Sequence, residues 1–201
     1  VTYVQIIFCS TFKKSLITYR NQLSILINFF NLRGKGVEVG VFDGDYSEDI
    51  LSFSNLNTLY SVDPWKKIPQ TSYCDAFNAD MSQDEYDNKY QTTAEKLKKY
   101  KSRSSIMRMT SIDAAKLFPL ESLDFVYIDA NHSYNACKED IEAWWSKLKK
   151  GGIFSGHDYL NKEFKSGRWG VKSAVDEFVA KNEQKLFVTP GSFPTWYIIK
   201  A

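Results

Sequence analysis

Histidine is scarce in this sequence: His132 and His157 are the two present among 201 residues. Cysteine is nearly as scarce. Cys9, Cys74 and Cys137 make an odd count of three, and no two are spaced C-x-x-C. That argues against a disulfide framework and a cysteine zinc site, and makes a reducing compartment the expectation. No G-x-G-x-x-G occurs, so the dinucleotide fingerprint is missing. Neither sign of charge dominates. Lys and Arg number 26 against 24 Asp and Glu, a formal charge of +2, which lacks the footprint of a nucleic-acid or membrane-surface binder. The basic cluster Lys96, Lys98, Lys99, Lys101 and Arg103 reads as a solvated helix end. The leading VTYVQIIFC is apolar, but Lys13 and Lys14 follow soon after. It is too short to span a membrane and has no basic region ahead of it, as a signal peptide would. The first residue is Val rather than Met, as in a fragment or a processed chain. The expected location is the cytoplasm.

What is present is a globular composition, 43% hydrophobic and 15% aromatic, at a length that suits a single domain over 1–201. Apolar strands alternate with helical patterns. Residues 12–32 carry Leu16, Tyr19, Leu23, Leu26, Ile27 and Phe30 at helical spacing, a lead-in (1–33) that ends at Gly34 and Gly36. GVEVGVF, NTLYSVD, SSIMRM, LDFVYID and GIFSG read as buried strands. Helices are expected from about Ser47, over 84–100 and over 134–149. The last is the clearest, with Tyr134, Cys137, Ile141, Trp144, Trp145 and Leu148 on one stripe. At least one of the two tryptophans is expected to pack on the sheet. Such alternation implies right-handed crossovers and a mostly parallel, doubly wound sheet. KLFVTP and PTWYIIK read as a closing hairpin, so the last strand should be antiparallel. Residues 64–83 show no periodicity and read as a lid or substrate-side insertion.

Chemistry concentrates at the strand ends. VEVGVFDGDYS takes a strand through Gly40 and Gly44 into a helix. Such a junction lets a ligand approach the backbone near the N–H groups of a helix start. Asp63, ending the next strand about twenty residues on, can accept from both hydroxyls of a ribose. Together they point to an adenosine-type ligand in the crevice at the carboxyl ends of the strands.

At this point the sequence resembles the class I S-adenosylmethionine-dependent methyltransferases, from Val37 to Lys200. The resemblance rests on VEVGVFDG, YSVD, MTSIDAA, DFVYIDANHSY, LKKGGIFSGHDY and the closing hairpin. IDANHSY…DIEAWWSKLKKGGIFSGHDY…GVKSAVDEF is similar, more narrowly, to bacterial small-molecule and sugar O-methyltransferases. The resemblance implies a Rossmann-like seven-stranded sheet, order 3-2-1-4-5-7-6, with strand 7 antiparallel. It implies S-adenosylmethionine as cofactor. Glu38, Gly40 and Gly44 would cradle its amino-acid end, Asp63 its ribose, and Ser111 and Ile112 its adenine, with Asp129 beside the sulfonium.

Related metal-dependent O-methyltransferases place acidic or amide ligands where Asp129, His157 and Asp158 stand, which implies a site for Mg²⁺ or Mn²⁺. His157 departs from that pattern. His132, with an ordinary pKa near 6.5, is the general-base candidate, with Asp129 as its catalytic neighbour. Tyr134 and Tyr159 are candidates for the substrate pocket. The acceptor implied is a hydroxyl of a small molecule, a sugar or glycosylated metabolite, with no nucleic acid and no membrane as partner. Nucleic-acid amino-methyltransferases resemble one another in a Pro-Pro-aromatic sequence where this chain reads DANHSY. The apolar lead-in offers a face for a second copy of the chain. Two alternatives stay open from the residues alone: a nucleotide-cofactor oxidoreductase of the NAD type, and a non-catalytic scaffold of the same fold.

Overall fold

The computed structural model describes residues 15–67, 80–164 and 167–201. A 3₁₀ turn at Arg20–Gln22 leads into α1 (Leu23–Phe29), β1 (Lys35–Val39), α2 (Asp45–Phe53) and β2 (Thr58–Val62). Then come α3 (Gln83–Leu97), a 3₁₀ stretch at Lys98–Arg103, β3 (Ser104–Met107), α4 (Ser111–Lys116) and β4 (Leu123–Ile128). The chain closes with α5 (Tyr134–Trp145), β5 (Leu148–Gly156), β6 (Asn161–Phe164), β7 (Gly167–Gly170), α6 (Val171–Lys181), β8 (Leu186–Val188) and β9 (Trp196–Ile199).

Seven strands form one sheet in the order β3-β2-β1-β4-β5-β9-β8, and β6 and β7 pair separately. β1 runs parallel to β2 and β4, β4 parallel to β5, and β9 antiparallel to both β5 and β8. This is the expected order, with the closing hairpin as its last two strands. Alternation along β4 serves both faces of the sheet. Val126 and Ile128 join Val37, Ile141, Trp144 and Val175 in one core, while Phe125 and Tyr127 join Ile27, Ile50 and Tyr197 in the other. All six residues of β4 are buried, as in a parallel strand covered on both sides.

Two expectations need correction. The helix expected over 134–149 stops at Trp145. Leu148 lies on its stripe but buries as a strand residue, paired with Leu123, and a register shift carries β5 on to Ile153 beside Phe125. Periodicity cannot separate the two, because either conformation buries that side chain. The N-terminal helix is shorter than 12–32. Tyr19 is exposed, and the helix ends where Asn31 takes a left-handed conformation (φ 54°), before Gly34. Residues 12–14 lie outside the described residues. Beyond these elements, Asn161–Phe164 and Gly167–Gly170 pair as the antiparallel β6–β7 ribbon.

Tryptophan packing holds as expected. Trp144 is fully buried, and Trp145 sits edge-on to Phe154 and Phe178. Most of the insertion expected over 64–83 lies outside the described residues. Its entry is anchored by Trp65, whose Nε1 donates to Phe42 O at 2.9 Å. Cys137 is a free, buried thiol that burial pushes up to about 12, while Cys9 and Cys74 lie outside the described residues.

Candidate active site

The ends of β1, β2 and β4 are laced together by backbone. Gly40 N donates to Val62 O at 2.9 Å, and Asp129 N donates to Val39 O at 2.7 Å. Gly40 has φ 86°, and a Cβ there would collide with the carbonyl of Asp129. Only glycine permits so close an approach of two strand ends in that conformation. Asp63 closes the turn from the other side. Its Oδ2 accepts from Val41 N and Phe42 N at 2.9 and 3.0 Å, and its Oδ1 from Trp65 N at 2.7 Å. Burial raises its pKa and these backbone donors pull against the rise.

A cleft of about 310 Å³ opens at these strand ends, with Gly40, Asp63, Ser111, Ile112, Asp129 and Asp140 in its wall. Five of the six are residues the sequence singled out. Glu38 and Gly44 are not in that wall. Glu38 is 2% exposed and accepts from Ser47 Oγ, which also meets Ser61 Oγ at 2.6 Å. Burial pushes the Glu38 carboxyl up to about 8 against the Ser47 hydrogen bond. Gly44 is the residue before α2 and lies against Thr93.

Asp140 was missed, although a signal existed. It stands on the apolar stripe of α5 between Cys137 and Ile141, and it is buried. Ser111 Oγ donates to Asp140 Oδ1, and Trp144 Nε1 donates to Ser111 Oγ at 2.9 Å. Burial lifts the Asp140 carboxyl to about 6.

The second half of the site gathers at the ends of β4 and β5. His132 Nε2 lies 2.8 Å from Asp158 Oδ2 and 3.5 Å from Asp129 Oδ1. His157 Nδ1 is 3.2 Å from Asp158 Oδ1 and 4.0 Å from Asp129 Oδ2. Burial would lower the His132 pKa, but the two carboxylates prevail and raise it to about 9. Burial would raise Asp158, and the two imidazoles instead hold it well below the usual carboxylate range. Arg20, which the sequence did not flag, reaches Asp129 Oδ2 at 3.5 Å from the turn before α1. Trp169 of the ribbon lies flat on the His132 ring.

Ligand atoms from Asp129, His132 and Asp158 all lie within 4.8 Å of one another, close enough to share one cation. His157, assigned to that set from the sequence, flanks it from the Asp158 side. Tyr134 and Tyr159, the candidates for a substrate pocket, direct their hydroxyls to Glu177 and Asp176 of α6. A separate groove of about 360 Å³ runs between α5 and α6, bridged by a Lys138–Glu177 pair at 2.6 Å. It lies off the strand ends and outside this site.

A doubly wound sheet with one reversed strand and a glycine-and-acid cleft at its carboxyl edge defines an α/β protein of the kind that places its ligand crevice at the strand ends. Residues 37–159 match the profile of a family described as "Methyltransferase domain", and the chain belongs to that family. It is thus an S-adenosylmethionine-dependent methyltransferase. No curated protein matches it in sequence. Among solved structures it is similar to an O-methyltransferase from Bacillus cereus in complex with SAH, at TM-score 0.60 and 11% identity over 98% of this chain and 87% of that one. It is similar to the O-methyltransferase NovP, at TM-score 0.60 and 17% identity over 90% and 77%. It is also similar to an rRNA methylase from Streptococcus thermophilus, at TM-score 0.57 and 12% identity over 92% and 99%. Likeness at these identities is a likeness of fold, and the fold does not choose the acceptor.

Proposed function

We propose that the enzyme transfers the methyl group to a hydroxyl of a small molecule, a sugar or glycosylated metabolite. The observation that carries this reading is His132, held against Asp158 and Asp129 beside the cleft. A hydroxyl is a poor nucleophile until its proton is drawn away, and this cluster offers three groups that can draw it. The balanced charge of the chain, +2 overall, favours a small acceptor over a polyanion.

In this reading Asp63 holds the donor's ribose with the remaining lone pair of Oδ1, the others being taken by backbone donors, and Ser111 and Ile112 meet the adenine. Gly40 lets the donor's amino-acid end pass close to the strand end, with Glu38 and Gly44 supporting that turn from behind. The methyl group then faces Asp129. Alignment of the acceptor oxygen with the departing sulfur supplies most of the rate. In the ligand-free site two carboxylates favour the protonated imidazole, so His132 takes the hydroxyl proton only after it has released its own proton to solvent, which the loosening of a carboxylate contact promotes. Trp169 and the buried flank of Asp158 keep water from the imidazole.

The residues also fit a divalent cation. Asp129 and Asp158 would hold Mg²⁺ or Mn²⁺ with an imidazole, His132 from within the converging group or His157 from its edge. Such a cation would supply charge that acidifies the acceptor hydroxyl.

The test is calorimetric titration with S-adenosylhomocysteine, with and without Mg²⁺ or Mn²⁺, followed by methyl transfer from labelled donor to a panel of hydroxylated acceptors. Binding lost in Asp63→Ala, with transfer lost in His132→Asn, is the expected result. A folded protein that binds the donor but methylates amines rather than hydroxyls overturns the acceptor class. Donor binding with no turnover on any acceptor favours the scaffold reading.

A further inference from the structure

Phe42 stands in the wall of the cleft, in the turn between β1 and α2, and holds a left-handed conformation at φ 49°. That conformation is unfavourable for a bulky side chain. Its carbonyl oxygen accepts two hydrogen bonds, from Trp65 Nε1 at 2.9 Å and from Thr93 Oγ1 at 3.0 Å, which fill both lone pairs. Both donors come from outside the turn: Trp65 follows β2, and Thr93 lies within α3. Both residues are fully buried. A threonine inside a helix commonly returns its hydroxyl to the preceding turn, as Thr92 does to Asn88 O. Thr93 instead sends its hydroxyl across to Phe42 and packs its methyl close against Gly44. One helical turn to either side, Lys89 pairs with Asp43 Oδ1 at 2.6 Å and Lys96 Nζ donates to Asp43 O at 2.8 Å. Positions 89, 93 and 96 share one helix face, so α3 presents a stripe that grips residues 42–44.

We infer that Thr93 is a positioning residue: together with Trp65 it holds the strained Phe42 peptide in the form in which the turn receives the methyl donor. The inference rests on the proposed placement of the methyl donor along this turn. Thr93 is not itself in the cleft wall, so it acts through Phe42. Without its hydroxyl the Phe42 carbonyl loses one of its two anchors, and the free enzyme relaxes toward turn conformations that do not bind. Apparent affinity then falls in proportion to the fraction that stays competent. The sequence motif places glycines in the turn, but the residue between them that most needs holding is held by a helix about fifty residues further along the chain.

The experiment is calorimetric titration with S-adenosylhomocysteine, at a temperature where every variant is folded. Thr93→Val keeps the shape and removes the hydroxyl, and should raise Kd by about 3- to 10-fold, the range of one lost hydrogen bond. Thr93→Ser keeps the hydroxyl and should recover most of that affinity. Phe42→Gly relieves the strain, because glycine takes a positive φ without help. Thr93→Val added to Phe42→Gly should therefore raise Kd by a smaller factor than it does alone. Trp65→Phe, which keeps a ring and lacks the N–H, should weaken binding in the same direction and serves in place of Thr93→Val if that variant does not fold. A purely structural role would lower the Tm of Thr93→Val and leave the Kd of the folded protein unmoved. That outcome overturns the inference, as does an equal loss in the Ser and Val variants or an undiminished loss beside Phe42→Gly. Failure of the folded wild type to bind S-adenosylhomocysteine overturns the methyl-donor site itself, and this inference with it.

Discussion

Trp169 lies flat on His132, with ring centroids 3.9 Å apart and planes 12° apart. Gly170 N, one residue on, donates to His132 O at 2.8 Å. The ribbon thus holds the imidazole by its face and its backbone, and leaves the ring edge to Asp129 and Asp158. A protonated imidazole against an indole face also gains a cation–π attraction. Trp169→Phe should keep most of the activity, because a flat ring remains. Trp169→Leu should lower kcat by about tenfold with little change in donor affinity, since misplacement of a reacting group costs rate before binding. Steady-state kinetics beside calorimetry separate the two. Equal loss in Phe and Leu variants would count against ring stacking as the cause.

His132→Asn should bind S-adenosylhomocysteine within a few-fold of wild type and lose about 10²–10⁴ in turnover, the usual contribution of a general base. A labelled-methyl transfer assay reads this directly. Unchanged turnover would move the proton acceptor to Asp129 or His157.

Asp63→Asn tests the turn and the ribose together. The carboxamide cannot accept from Val41, Phe42 and Trp65 as the carboxylate does. Donor affinity should fall by about 10- to 100-fold, with a stability loss on the order of 1–3 kcal/mol from the unmatched backbone donors. Calorimetry and chemical denaturation give the two numbers independently.

Gly40→Ala should cost more than any of these in stability. The methyl group meets the Asp129 carbonyl, which is backbone and cannot rotate away, at a φ of 86° that alanine avoids. A loss of about 3 kcal/mol or more is expected in urea unfolding, together with loss of donor binding.

Glu38 makes stability depend on pH. Its carboxyl is lifted by burial to about 8 in the folded protein, against about 4.5 when unfolded. The folded state therefore holds this proton more tightly, and the resulting stability is complete below pH 4.5. It declines as the unfolded carboxyl ionises and is lost as pH rises through 8. Glu38→Gln removes this dependence. Relative to the variant, wild type should lose roughly 5–10 °C in Tm between pH 5 and 8. Parallel Tm profiles for the two proteins would show that Glu38 titrates normally.

Much of this was legible in the chain. β4 could be read because five of its six residues are apolar, Asp124 being the exception, which suits a strand covered on both faces. Asp63 and Asp129 could be read because each directly follows an apolar strand, Asp63 about twenty residues beyond the glycine turn. The ribbon was not legible, because NKEFKSGRWG has neither period and its two strands find each other by cross-strand pairing. Arg20 was not legible either: it lies 109 residues from Asp129 in the chain, and nothing local marks the ion pair.

Patterns of two and 3.6 residues, punctuated by glycine and acid, thus determined the strands, a mostly parallel sheet with an antiparallel close, and the place of the cleft, since burial and backbone geometry act locally along each element, while the strand order came with the family resemblance. Which groups face which was decided only by the tertiary structure. Packing turned Glu38 inward onto Ser47, swung Tyr134 and Tyr159 onto α6, and set His132 rather than His157 between the two carboxylates. Those outcomes depend on side chains brought together from distant strands, where the loss of water and the pairing of charge set protonation, and no single segment carries that information.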